Sequence, residues 1–129
     1  MATLFSRIIS CEIPCHRVAE NDRFLAFLDI QPVARGHVLV VPKRETDYIF
    51  DIEDEEFLAL HLFAKTVALK LKSAVPCLRV GVAVIGLEVP HAHIHLIPMN
   101  TMSDINFQKE RVKMSSEELS QLAALIGAQ

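Results

Sequence analysis

The stretch Pro90-His91-Ala92-His93-Ile94-His95-Leu96-Ile97-Pro98 alternates histidine with apolar residues, and it follows the run Leu78-Arg79-Val80-Gly81-Val82-Ala83-Val84-Ile85 across a turn at Gly86 to Pro90. Period-two alternation and a dense run of β-branched residues both specify strands. Leu78 to Ile85 and Ala92 to Ile97 are therefore predicted to form an antiparallel pair at the centre of a sheet. In an extended strand, residues 91, 93 and 95 project from one face with about 7 Å between neighbours. Three imidazoles on one apolar face would incur repeated desolvation costs without a charge or ligand to offset them, so packing alone explains them poorly. From their spacing two readings stand. Alternating histidines can offer nitrogens to zinc, with His37 as a further ligand. Alternatively, one neutral imidazole can act as a nucleophile whose tautomer its neighbours set.

Upstream, Phe24 to Asp29 and His37 to Pro42 read as two more strands, joined through a loop with turn residues Pro32 and Gly36. Thr3 to Ser10 places Leu4, Phe5, Ile8 and Ile9 at helical spacing, stopped by Pro14. The acidic cluster Glu53 to Glu56 suits a first helical turn. Phe57, Leu60, His61, Ala64, Val67, Ala68 and Leu71 then form one stripe of a long helix ending near Ala74, with His61 expected to be a partly buried core residue. His16 is expected to be exposed. Ser115 and Glu118 make a capping box ahead of a C-terminal helix containing Leu119, Leu122, Ala123 and Ile126. The class is α+β, an antiparallel sheet with a long helix and a C-terminal helix in a single domain, residues 1–129.

Composition narrows the function. A hydrophobic share of 51% and a charged share of 22% fit a chain that buries a core of its own. A net charge of −3 gives no basic field for holding a long polyanion, so no nucleic-acid partner is expected, whereas a small anion at one site remains compatible. No run is long and uncharged enough to cross a bilayer, and the N-terminus lacks an apolar stretch of signal-peptide length, so no membrane partner is expected. Cys11, Cys15 and Cys77 are an odd number and are expected to be free thiols, which points to a cytoplasmic protein.

The run His91-Ala92-His93-Ile94-His95-Leu96-Ile97 resembles the motif of the histidine-triad (HIT) superfamily, H-φ-H-φ-H-φ-φ with φ apolar. The segments T-L-F-S-R-I-I-S-C-E-I-P, D-R-F-L-A-F-L-D-I-Q-P and G-H-V-L-V-V-P-K resemble that family's segments in the same order, so about the first hundred residues are covered. The resemblance implies a HIT-like fold with a five-stranded antiparallel sheet, joined into a homodimer. It implies a hydrolase, for example a phosphoramidase, cleaving at the α-phosphate of a purine nucleoside 5′-monophosphate conjugate (a phosphoramidate or dinucleoside polyphosphate). His93 would be the nucleophile and form a nucleotidyl-histidine intermediate. His91 and His95 would be orienting and phosphate-contacting groups, and His37 the fourth histidine of the site. Asp29 would accept both ribose hydroxyls, with the purine among Leu4, Phe5, Ile8, Phe27, Ile30 and Leu39.

Two features depart from that pattern. Some relatives hold a structural zinc with a cysteine pair where this chain has Thr3 and Ser6, so no metal is expected there and no cofactor is required. Where well-known branches carry an amide side chain and G-Q-[ST]-V before the first histidine, this chain has Ala83, with Leu87 and Glu88 in a shortened loop. Glu88 then stands near the phosphates, where it would repel them unless protonated or turned away. The alternatives to a hydrolase of this kind are a nucleotide-binding module of low activity and a zinc hydrolase using the three histidines.

Overall fold

In the computed structural model, which describes residues 3–129, the elements run α1 (Leu4–Ile9), β1 (Arg17–Glu20), β2 (Phe24–Leu28), β3 (Val38–Pro42), α2 (Asp54–Ala74), β4 (Arg79–Ala83), β5 (Ile94–Met99) and α3 (Ser116–Gly127). Short 3-10 turns at Ile49–Asp51 and Met102–Ile105 complete the chain. The strands form one five-stranded antiparallel sheet in the order β1-β2-β3-β5-β4.

Two expectations about the histidine strand are corrected. The β4–β5 pair does not lie at the centre, because β5 pairs with β3 on its other side and β4 becomes an edge. β5 is nearly all buried and suits an interior position, whereas β4 is exposed or half-buried along its length. β5 also begins at Ile94 rather than Ala92, since the amides of His91 and Ala92 donate to the carbonyls of Val89 and Thr46 and not to a neighbouring strand. β1, a short R-V-A-E with only Val18 buried, is the fifth strand that the family resemblance implies and that periodicity alone does not mark.

Alternation sorts the strand side chains into two faces. Phe24, Ala26, Leu28, Val38, Val40, Ile94 and Leu96 pack against Leu60, Ala64, Val67 and Leu71 of α2 and Leu119, Leu122 and Ile126 of α3. The opposite face carries Leu25, Phe27, Leu39 and Val41, covered by Phe5 and Ile8 of α1. Two helices are capped by side chains. Ser115 and Glu118 form the expected capping box of α3, and Thr3 with Ser6 forms another on α1, so both hydroxyls that stand at the cysteine positions are used as helix caps.

The α2 stripe is confirmed at Leu60, Ala64, Val67 and Leu71, but His61 is exposed, its ring hydrogen-bonded to the Phe57 carbonyl 2.9 Å away. It sits just outside the arc that faces the sheet. His16 is half-buried and reaches Ser120 Oγ at 3.2 Å. On the other side of α2, Leu58, Leu62 and Leu69 are exposed at helical spacing, and Val82 on the free edge of β4 is exposed with them. No helix among the described residues is long and apolar enough to cross a membrane.

Candidate active site

The face opposite α2 and α3 gathers the chemistry. Leu39 pairs with His95 and Ala83 pairs with His95 from the other side, so β3, β5 and β4 present these side chains together. Asp29 follows the end of β2, and its backbone N–H bonds the His37 carbonyl at 2.9 Å, fixing the two segments side by side. Gly36, at φ +96°, makes the turn that delivers His37, where any Cβ would press on Pro98, Leu71 and Val75 at 3.1–3.2 Å.

The four histidines 37, 91, 93 and 95 are all buried, and their hydrogen bonds determine their tautomers. The Val33 N–H donates to His37 Nδ1 at 3.1 Å, so that nitrogen bears no proton and the ring donates from Nε2. That donor meets His95 Nδ1 at 2.9 Å, which leaves the N–H of His95 on Nε2. His93 donates from Nδ1 to the His91 carbonyl at 2.7 Å, so its Nε2 holds a free lone pair. His91 donates from Nε2 to the Pro42 carbonyl at 2.7 Å and receives the Thr3 hydroxyl on Nδ1 at 3.2 Å. Two separate sets of bonds thus leave a donor on His95 and an acceptor on His93, with their rings 4.8 Å apart.

Burial reinforces these neutral forms. It pushes His37 down to about 3 and His95 to about 4, helped in His37 by the neighbouring His95 and in His95 by His93. His93 is also lowered by burial, against a pull upward from its bond to the His91 carbonyl. The Asp29 carboxyl is raised by burial, with the Gln31 N–H and the charge of Arg111 acting in the opposite direction. Its Oδ1 receives the Gln31 N–H at 2.8 Å, a turn contact that leaves the second oxygen outside that bond.

A cavity of about 610 Å³ opens on this face, within the usual range of small-molecule sites. Asp29, Leu4, Phe5, Ile8, Phe27, Ile30, Leu39, Glu88, His93 and His95 all line it. His91 and His37 do not. His91 is fully enclosed, with both ring nitrogens bonded to protein groups, and its carbonyl holds the His93 ring. Among the described residues no group of three or more His, Cys, Asp or Glu side chains is placed to hold a metal ion. Of the four histidines, His93 and His95 line the cavity, beside the carboxyls of Asp29 and Glu88.

Sequence reasoning missed the far wall, built by Phe107, Gln108 and Arg111 between the second 3-10 turn and α3. The Phe107 ring stands edge-on to His95 at 4.8 Å and to His37 at 6.0 Å. The segment has no periodicity, and only its tertiary contacts reveal it. An aromatic two residues beyond a 3-10 turn and an arginine four further on were the available signal.

The sheet and its buried imidazoles define a small α+β protein with a cavity whose lining imidazoles are held in set tautomers by hydrogen bonding. Residues 10–102 match the HIT domain model, and the chain belongs to the HIT family. It is 39% identical over 98 residues to the adenosine 5′-monophosphoramidase HNT1 of Saccharomyces cerevisiae, a match that spans 75% of this chain and 62% of the yeast protein. Among solved structures, a Hit-like protein from Bartonella henselae superposes with a TM-score of 0.85 at 29% identity, covering 98% of this chain and 94% of its own. A hypothetical histidine triad nucleotide-binding protein from Sulfolobus tokodaii gives 0.78 at 31% identity, covering 96% of this chain and 89% of its own.

The buried histidines carry a consequence for stability. His37 and His95 are ordinary titrating groups near 6.5 in the unfolded chain but are depressed to about 3 and about 4 in the fold. The unfolded chain therefore binds more protons between these values, so stability is complete above about pH 6.5 and falls as pH drops. Urea unfolding from about pH 7 to about pH 5 will show a loss approaching about 1.4 kcal/mol per pH unit for each histidine. In His37→Gln the slope will be shallower.

Proposed function

We propose that this chain hydrolyses a purine nucleoside 5′-monophosphate conjugate at the α-phosphate, with His93 as nucleophile. The observation that carries the reading is the bond from His93 Nδ1 to the His91 carbonyl, which leaves the Nε2 lone pair on the cavity side. Nε2 attacks phosphorus as the bond to the amine or phosphate leaving group breaks. The leaving group departs with the electron pair and takes up a proton. The ring becomes cationic, which strengthens its donation to the His91 carbonyl. Water then displaces histidine, releasing the monophosphate and restoring the neutral ring. His95 offers its Nε2 proton to a phosphoryl oxygen, while His37 and His91 position their neighbours.

The purine is assigned to the apolar end of the cavity. Phe5, Ile8, Phe27 and Leu39 are buried and make its floor, whereas Leu4 and Ile30 are 49% and 67% exposed and are free to close over a base. Asp29 is assigned to the ribose hydroxyls, because a carboxylate can receive two donors. Glu88 stands exposed at the rim, where a leaving group would emerge. The yeast relative's name, an adenosine 5′-monophosphoramidase, supports an adenosine phosphoramidate as first substrate. Three free thiols fit a cytoplasmic setting.

A homodimer is part of the same reading. Leu58, Leu62 and Leu69 of α2 and Val82 of β4 are exposed, and β4 is an edge strand with an open row of backbone donors and acceptors. A second copy would cover both and extend the sheet to ten strands.

Incubation with an adenosine phosphoramidate and with diadenosine polyphosphates, following release of AMP, tests the activity. His93→Ala will abolish turnover while leaving AMP binding largely intact, and retained turnover would move the nucleophile elsewhere. A folded protein that binds AMP but turns over neither substrate would instead be a binding module. Asp29→Asn will weaken AMP far more than 2′,3′-dideoxy-AMP, since only AMP has the hydroxyls the carboxylate receives. Equal losses would make Asp29 a turn residue only. Sedimentation at micromolar concentration will give twice the chain mass of 14.4 kDa, and a single-chain mass would end the dimer.

A further inference from the structure

The chain brings a cation to the cavity through the segment that follows the sheet. Arg111 lines the cavity, and it is held there by two contacts: Nη1 donates to the Gln31 carbonyl at 2.9 Å and Nη2 to the Phe107 carbonyl at 3.2 Å. Its guanidinium also lies 5.8 Å from the centre of the Phe107 ring, and the next residue donates its Val112 N–H to the Pro32 carbonyl at 2.8 Å. A guanidinium has five N–H donors, so three are left after these two bonds. The side chain is thus fixed by backbone carbonyls and retains donors for something else.

Charge shows what that is. Of the described residues lining the cavity, Arg111 alone carries a fixed positive charge, against the carboxyls of Asp29 and Glu88. The histidines carry no fixed charge: the Val33–His37–His95 bonds require neutral rings, and burial disfavours the charged form of His93. Nor do the side chains of Ala83, paired with His95, or Leu87 in the cavity wall offer a donor, since one is a methyl and the other is apolar. An anion in this cavity would meet two like charges and one opposite one. Burial dominates the shifts of Asp29, His37 and His95, and the charge of Arg111 contributes to all three, so its field reaches across the site.

We propose that Arg111 is the anion-binding residue of the cavity, the group that receives the phosphate of a nucleotide and gives the site its preference for a nucleotide over a nucleoside. This rests on the nucleotide reading above. The two carbonyl contacts aim the guanidinium fork, and Arg is suited to the role because its planar donors match phosphate oxygens. They also join the segment 107–112 to the loop 29–33, which carries Asp29 and the Val33 N–H that sets the His37 tautomer.

Titration calorimetry with adenosine, AMP and inorganic pyrophosphate, on the full chain and on Arg111→Gln and Arg111→Lys, tests this. In Arg111→Gln, AMP and pyrophosphate will weaken by about tenfold or more, equal to about 1.4 kcal/mol, while adenosine holds within about twofold. Arg111→Lys will keep part of the preference for AMP. A purely structural pin would weaken adenosine and AMP by the same factor, and that result overturns the proposal, as does an unchanged AMP affinity. A second measurement needs no variant: wild-type affinity for AMP will fall as salt is raised while that for adenosine does not, and a flat AMP response also overturns it. If the wild type binds pyrophosphate through Arg111 but neither adenosine nor AMP, the nucleotide reading fails and the anion site stands. Binding of none of the three defeats both.

Discussion

The site depends on a hydrogen bond from the protein backbone into a buried imidazole. Val33 gives its N–H to His37 Nδ1, and this forces the proton of that ring onto Nε2 and so onto the line to His95. Without that donor His37 could adopt either tautomer, and His95 would lose its fixed orientation. The second anchor works in the opposite sense, since the His91 carbonyl accepts from His93 and leaves a lone pair exposed. Four imidazoles can occupy one dry face only because each ring nitrogen that points into the protein has a partner. Among the described residues no buried side-chain nitrogen or oxygen lacks one.

Much of this could be read from the chain because periodicity is a local property. Leu60, Ala64, Val67 and Leu71 identify the buried side of α2, and the alternation around His93 and His95 identifies the sheet. The cavity floor was legible for the same reason, since Phe5, Phe27 and Leu39 sit at core-facing positions and also make one wall of a hollow. Asp29 illustrates two readings that hold together: it is a turn aspartate bonded to Gln31 and a cavity carboxylate.

What stayed hidden depends on partners far along the chain. Strand order was misjudged because sequence shows which segments are strands, whereas the place of β4 at the edge is set by what β5 pairs with on its other side. His91 departs from the shared face that alternation predicts, because the backbone leaves the ladder at residues 91 and 92 and its ring bonds the Pro42 carbonyl. Phe107 and Arg111 lie in a segment without periodicity, and their place against His95 and Gln31 arises from contacts spanning 80 residues between Arg111 and Gln31.

The division of the sheet into two faces separates stability from chemistry. Even-numbered positions of β2, β3 and β5 meet α2 and α3, and they bury the larger cluster, which is where most of the hydrophobic stabilisation resides. Odd-numbered positions of the same strands face α1 and the cavity, where the packing is thinner and a hollow remains. A hollow of this kind would be unfavourable in the main core, because unfilled space forfeits contacts. It is tolerable here because the rigid opposite face already holds the strands in register, so that imidazoles carried on β5 and beside it keep their positions with one side open. The neutral state of those imidazoles follows from the same arrangement: the strands that exclude water from His37 and His95 also disfavour their charged forms, and the cation an anionic ligand needs comes from Arg111 on a segment outside the sheet.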